Sequence, residues 1–364
     1  MTKHSNTGGI SRRRALKGVA AAAVGLSMPA VWRRAHGAQR LVVSDPGGTF
    51  EQAFGEAFYK PFAKETGVEV VYTARQNNPA SLIKAAVETK TYPWDVTTVT
   101  RGIYELTRKQ DLLEELDLSG PDTAEIPAEN KTSHWIGVDV TAFVVAYRTD
   151  AKYGQNGPKT FADIWDINKY PGRRAMRKVG RDAIEVALRA DGVPGGPEIY
   201  KVLSTEAGWD RAFKALDRIK PHVGVWWSNA AQSTQILKTG EADICPTWNG
   251  RAQAALDAGA PVKLDWGDGF SLVEGWIIPK GNPQADLGRQ FIKFCSNAKR
   301  QAKYTELFAY GPTNPNAYKY MDDKIARLLP THPDNVKHIA QMDEVFWGDN
   351  HEKAEKRLAQ WLLT

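Results

Sequence analysis

"LVVSDPGGTFEQAFGEAFYKPFAKETGVEVVY", residues 41–72, decides the fold. Leu41-Val42-Val43 reads as a short apolar strand, and Asp45-Pro46-Gly47-Gly48 as a turn, because proline presets φ and glycine tolerates positive φ. Thr49-x-x-Gln52 has the form of a capping box and predicts that a helix begins here. Phe50, Phe54 and Phe58 then recur at helical spacing and predict an aromatic stripe packed into a core. Gly67 closes the helix, and Val68 to Tyr72 returns to the β-branched and aromatic residues of a strand. Strand, helix and strand in so short a run point to an α/β architecture.

The alternation continues outward. A helix is expected over Ala80 to Glu88, a strand over Asp95 to Val99, a helix over Ile103 to Leu113 and a long strand from Val140 to Tyr147, ended by Arg148-Thr149-Asp150. Trp209, Phe213, Leu216 and Ile219 mark a buried helical face closed by Pro221. Strands at Val223 to Trp227, Ala242 to Ile244, Val262 to Leu264 and Glu274 to Ile278 alternate with helices at Ala231 to Lys238 and Arg251 to Ala258. After Pro279 the chain reads as mostly helical, divided by Gly311-Pro312-Thr313-Asn314-Pro315.

The N-terminus has a different character. Ser11-Arg12-Arg13-Arg14-Ala15-Leu16-Lys17 is a twin-arginine-like basic run leading into the small apolar stretch Gly18 to Val31. That stretch is too short to span a bilayer and contains Pro29, so it reads as an export signal, with cleavage expected near Gly37 or Ala38. The expectation is a twin-arginine signal over residues 1–38 and a mature chain working in the periplasm. Those residues hold seven basic side chains and no acidic one, so the formal charge of +6 becomes 41 basic against 42 acidic groups once they are removed. A nucleic-acid partner needs a basic footprint on the folded domain, and that footprint is missing. Cys245 and Cys295, the only thiols, sit in apolar segments and read as two free core cysteines. About 326 remaining residues exceed what one growing core accommodates, which predicts two domains.

Catalytic groupings are scarce. The sequence has no HExxH, CxxC, Gly-x-Ser-x-Gly, GxGxxG or Walker pattern, so no metal, cofactor or catalytic residue is assigned. Aromatic residues cluster instead beside strand ends, at Trp226-Trp227-Ser228, Thr247-Trp248-Asn249-Gly250-Arg251 and Glu274-Gly275-Trp276. Ligand sites of open α/β sheets form at the carboxyl ends of strands. Aromatic walls with a carboxylate suit an organic cation, each ring contributing roughly 0.5–2 kcal/mol. Adjacent residues of a strand face opposite ways, so Trp226 is expected on one side of its sheet and Trp227 on the other, or beside the cleft.

The order of "PFAKETGVEVVY", "YPWDV", "AYRTDAKYG", "WDINKYPGRRAMR", "VWWSNAAQ", "GEADICPTWNGRA", "WIIPKGNP" and "YGPTNPNA" resembles the spermidine/putrescine-type periplasmic solute-binding proteins of ABC importers, over essentially the whole chain after the signal. The resemblance implies a two-lobed periplasmic-binding-protein fold with ligand between the lobes and hinge strands joining them. Lobe 1 is expected at 39–142 plus 273–312, and lobe 2 at 143–272 plus 313–364. It implies a monomer that captures a small amine and serves an inner-membrane permease with its ATPase, and it implies no enzyme. Carried over by position, it nominates Trp248, Ser228, Glu274, Asp182 and Gln341 as ligand contacts, with Trp227 beside them. The chain departs from the polyamine pattern where Val179 and Leu272 replace an acid and an aromatic. Arg101, which follows a strand, is a further candidate ligand contact, and Arg177 and Arg181 lie near the other wall. Arginine in a cleft pairs well with carboxylate and poorly with polycations. The expected ligand is a polyamine-type amine such as putrescine or spermidine, or alternatively a zwitterion such as γ-aminobutyrate. An exported amine-modifying enzyme is the contrasting reading.

Overall fold

The computed structural model describes residues 39–75 and 79–364. The expected signal and its cleavage point lie outside the described residues.

Arg40–Asp45 is the middle of three parallel strands, flanked by Glu69–Ala74 and Val96–Thr100. A helical segment follows each of the three. The first runs from Thr49 to Thr66 and widens into a π-turn at Gly55–Tyr59, one turn before Pro61. Proline has no N–H for the carbonyl four residues earlier, and a widened turn relieves the crowding that its ring would cause. Phe50, Phe54 and Phe58 are all buried, as their spacing predicts, and pack with Tyr304, Phe308 and Trp276. The capping box does not form. Gly48 is the N-cap, without a side-chain cap bond, and the Thr49 hydroxyl instead accepts from Arg251 Nη1 at 3.2 Å.

Val96–Thr100 also pairs antiparallel with Val262–Ile277, and that strand pairs antiparallel with Trp135–Arg148. The last two are 16 and 14 residues long, and they join the two lobes of this α/β fold. Their far ends carry Thr247–Trp248 opposite Phe143 and Val144. The parallel pair Arg174–Arg177 and Val223–Trp227 is attached through Ile244, which bridges both Tyr147 and Arg174.

Two expectations are corrected here. Val262–Leu264 and Glu274–Ile278 are parts of one strand, because the intervening residues leave the ladder without ending it. Val145 lies opposite Asp265 and Phe143 opposite Phe270, so Trp266–Gly269 stand out as a bulge with Asp268 at φ 59°. Buried Arg189 fixes this bulge, donating to Gly269 O at 3.1 Å and lying 3.5 Å from Asp268 Oδ1. Ala242–Ile244 shrinks to the single bridging residue Ile244. At this crossing Phe143 stacks on Phe270 at 5.1 Å, with the edge of Trp248 against both rings.

Trp227 is buried against Phe143, while half-buried Trp226 meets the edge of Trp361 on the opposite side. Cys245 and Cys295 are buried and free. The C-terminal helix Glu344–Leu362 packs on both Arg101–Lys109 and Gly180–Ala190. Its Gly348 lies so close to Gly102 that a Cβ at either position would come within 3 Å of the opposing backbone.

Candidate functional site

Five of the strands paired in parallel each deliver a residue from at or just beyond their carboxyl end into one cavity of about 150 Å³. Arg40–Asp45 delivers Pro46, Glu69–Ala74 delivers Arg75, and Val96–Thr100 delivers Thr100. Arg174–Arg177 delivers Arg177 itself, and Val223–Trp227 is followed by Asn229. This is the general location of ligand sites in open α/β sheets. Trp248 and Glu274 line the same cavity, as do Arg181, Arg251 and Tyr310.

Glu274 stands at the end of the sheet where Val262–Ile277 pairs with both Thr100 and Asp139. Its Oε1 accepts from Arg75 Nη2 at 3.0 Å, and its Oε2 accepts from Thr98 Oγ1 at 2.9 Å. Arg75 also donates to the Thr98 carbonyl. Beside this pair, Asp139 is fully buried and accepts from Tyr304 Oη at 3.0 Å. Burial, then the Glu274 charge, pushes the Asp139 carboxyl well above its ordinary range.

The opposite wall is built on arginines. Arg177 lies over the rings of Trp248 and Trp227, at 5.0 and 5.4 Å from their centroids, and donates to Asp182 Oδ2 at 2.5 Å. Burial draws the Arg177 guanidinium below its ordinary value, and Asp182 works against that shift. Arg181 Nε lies 3.3 Å from Asp182 Oδ1. One carboxylate thus serves two guanidinium groups. Asp182 is 0 % exposed, within the first turn of Gly180–Ala190, whose N-cap is Val179. The first N–H of that helix, on Gly180, is taken by Glu355 Oε1 at 2.8 Å.

Of the residues nominated from sequence, Trp248 and Glu274 line the cavity. Asp182 and Trp227 lie behind it, supporting Arg177. Ser228 is exposed beside the lining residue Asn229. Arg101 turns away, bonding Glu105 at 3.2 Å and lying over Tyr104 and Trp135, because the strand before it runs one residue further than expected and puts Thr100 in the cavity. Gln341 lies with Arg101 on a separate groove. Sequence reasoning passed over Arg75 and Arg251 as cavity-lining residues, although Arg75 directly follows a strand and Arg251 completes the string that contains Trp248.

A parallel-sheet cleft between two lobes joined by crossing strands, lined by charged and aromatic side chains, defines a solute-binding protein. The chain belongs to the bacterial extracellular solute-binding protein family, whose model matches residues 57–331. It is 33 % identical over 326 residues to the γ-aminobutyric acid-binding protein of Pseudomonas aeruginosa PAO1, covering 89 % of this chain and 91 % of that one. Similarity to the spermidine/putrescine-binding periplasmic protein of Escherichia coli K12 is lower, 23 % over 75 % of this chain and 78 % of that one. Among solved structures, the PBP MotA from A. tumefaciens B6 in complex with glucopine superposes with a TM-score of 0.83 at 30 % identity, covering 89 % and 99 % of the two chains. The Atu4243-GABA receptor superposes with a TM-score of 0.77 at 31 % identity, covering 89 % and 97 %. The protein is thus the periplasmic solute-binding component of an ABC transporter, a binding protein and not an enzyme, working with a membrane permease and its ATPase.

Proposed function

We propose that the cleft binds a small amine that also carries a carboxylate, of the γ-aminobutyrate kind, for import across the inner membrane. The observation that carries this reading is the charge of the lining: four arginines (Arg75, Arg177, Arg181, Arg251) against one lining carboxylate, Glu274, itself engaged by Arg75. Two like charges 5 Å apart repel by about 3 kcal/mol at an effective dielectric of 20, so each added ammonium of a polyamine is penalised on the arginine wall. A carboxylate there gains charge-assisted, bidentate hydrogen bonds. The ligand amine goes to Glu274, in a cavity that the rings of Trp248 and Tyr310 also line. Its carboxylate goes to Arg177 and Arg181, with Asp182 and Trp227 holding Arg177 from behind. The higher identity to a γ-aminobutyric acid-binding relative supports the same choice.

In this reading lobe 1 comprises 39–142 with 273–312 and lobe 2 comprises 143–272 with 313–364. They close about the crossing strands only on ligands that touch both. The protein acts as a monomer, delivered by the twin-arginine route. The test is a thermal-shift comparison of γ-aminobutyrate with putrescine and spermidine. A ligand at about 100 times its Kd adds roughly 2.7 kcal/mol and raises the melting temperature. The expected result is a rise with γ-aminobutyrate and none with the polyamines; the reverse pattern overturns the proposal.

A further inference from the structure

We infer that Arg251 forms a second anion-binding subsite in the cleft, so that the preferred ligand carries two acidic groups besides its amine. The inference rests on the carboxylated-amine reading above and extends it to the substrate class. Arg251 is 2 % exposed, yet it lines the cavity. Among the described residues its guanidinium has no carboxylate partner. Its one side-chain hydrogen bond is to the Thr49 hydroxyl at 3.2 Å, it lies 5.2 Å from the Phe308 ring centroid, and its buried Nε is unpartnered. A buried cation left without a counter-charge is costly, and an anion brought by a ligand removes that cost.

The two cationic centres are separate. Arg177 and Arg181 share Asp182 on Gly180–Ala190, which leaves one positive charge there for one ligand carboxylate. Arg251 belongs to a different element, the first turn of Asn249–Asp257, three residues beyond Trp248, and its own carbonyl is held by the Thr234 hydroxyl at 3.1 Å. Glu274, paired with Arg75, takes the amine and is not available to Arg251. One carboxylate therefore satisfies the first centre and leaves the second open, whereas an amine bearing two acidic groups satisfies all three.

Isothermal titration of the purified protein with putrescine, γ-aminobutyrate, L-glutamate and iminodiacetate separates the cases. Glutamate is γ-aminobutyrate with one further carboxylate, and iminodiacetate is a secondary amine with two. At least one of the two-acid amines is expected to bind about tenfold or more tightly than γ-aminobutyrate, the scale of one charge-assisted hydrogen bond. Arg251→Gln is expected to cost that ligand about tenfold more than it costs γ-aminobutyrate, with Arg251→Lys restoring part of the difference. Thermal melting of the ligand-free variants checks that they fold. Tighter binding of γ-aminobutyrate than of both two-acid amines overturns the second subsite and leaves the carboxylated-amine reading standing. So does a loss on Arg251→Gln that is equal for all amines. Binding of putrescine alone overturns both.

Discussion

At the scale of single residues, Asp182 separates two ways of being important. Its carboxylate is fully buried beneath Arg177 and Arg181, so its work is to neutralise guanidinium charge where water cannot. Asp182→Asn keeps the shape and removes the charge, and breaking a buried pair in this way costs about 3–5 kcal/mol. The expected outcome is a fall of several degrees in the melting temperature of the ligand-free protein. An unchanged melting temperature with abolished ligand binding would instead mean that Asp182 touches the ligand itself. What sequence could tell about such residues was uneven. Trp248 and Glu274 were legible because an aromatic or an acid beside a strand end is unusual. Arg75 and Arg251 look like the arginines of any solvated surface until the fold brings them to one cavity. Asp182 matched the family's acid by position, but which way it faces depends on the two arginines that sequence could only locate near the same wall.

At the scale of elements, the C-terminal helix is held by a glycine seam. A Cβ on Gly348 would lie 2.8 Å from Gly102 O, and one on Gly102 would lie 2.7 Å from Glu344 O. Both obstacles are backbone atoms, which cannot swing aside. Alanine favours an isolated helix over glycine by about 1 kcal/mol, whereas overpacking costs about 1–3 kcal/mol. Gly348→Ala should therefore lower stability by up to about 2 kcal/mol in a denaturant titration; a net gain would show that the two helices are free to separate. Because Glu344–Leu362 packs on both Arg101–Lys109 and Gly180–Ala190, the second of which carries Arg181 into the cavity, the loss should accompany weaker ligand binding. Element types were largely legible from periodicity, as Phe50, Phe54 and Phe58 show. The single long strand was not, because Trp266-Gly267-Asp268-Gly269 carries every local mark of a chain break. Contacts distant in sequence, from Arg189 to Gly269 and Asp268 and from Ile339 along Gly269, hold those residues in the bulge.

At the scale of the whole molecule, buried acids set the response to pH. Asp45, Asp95, Asp139, Glu185 and Glu344 are all raised by burial, Glu344 to about 7 from 4.5. Each stays protonated in the fold after the unfolded chain has released its proton. The stability it contributes is full below the unfolded value near 4 and is lost as pH rises through the folded value. Exposed Asp117 and Asp334, lowered by Lys293 and Lys337, act in the opposite sense, and only in acid below about pH 4. Half-buried His351, lowered from its ordinary 6.5, also opposes the buried acids below that value, so the melting temperature of the ligand-free protein should decline from pH 6.5 to pH 8 in calorimetry, and a rise over that range would contradict the burial of Glu344. The two-lobed plan itself was legible, because the order of many short strings constrains a whole chain more tightly than any one string does. The arginine-rich wall has a practical consequence for anyone weighing ligands against one another. A cleft with more fixed cations than anions behaves as a small anion exchanger, so sulfate or phosphate in the buffer competes for the guanidinium groups. Apparent Kd values should then climb in proportion to the concentration of such ions, and rankings of solutes made in different buffers would describe the buffers as much as the protein.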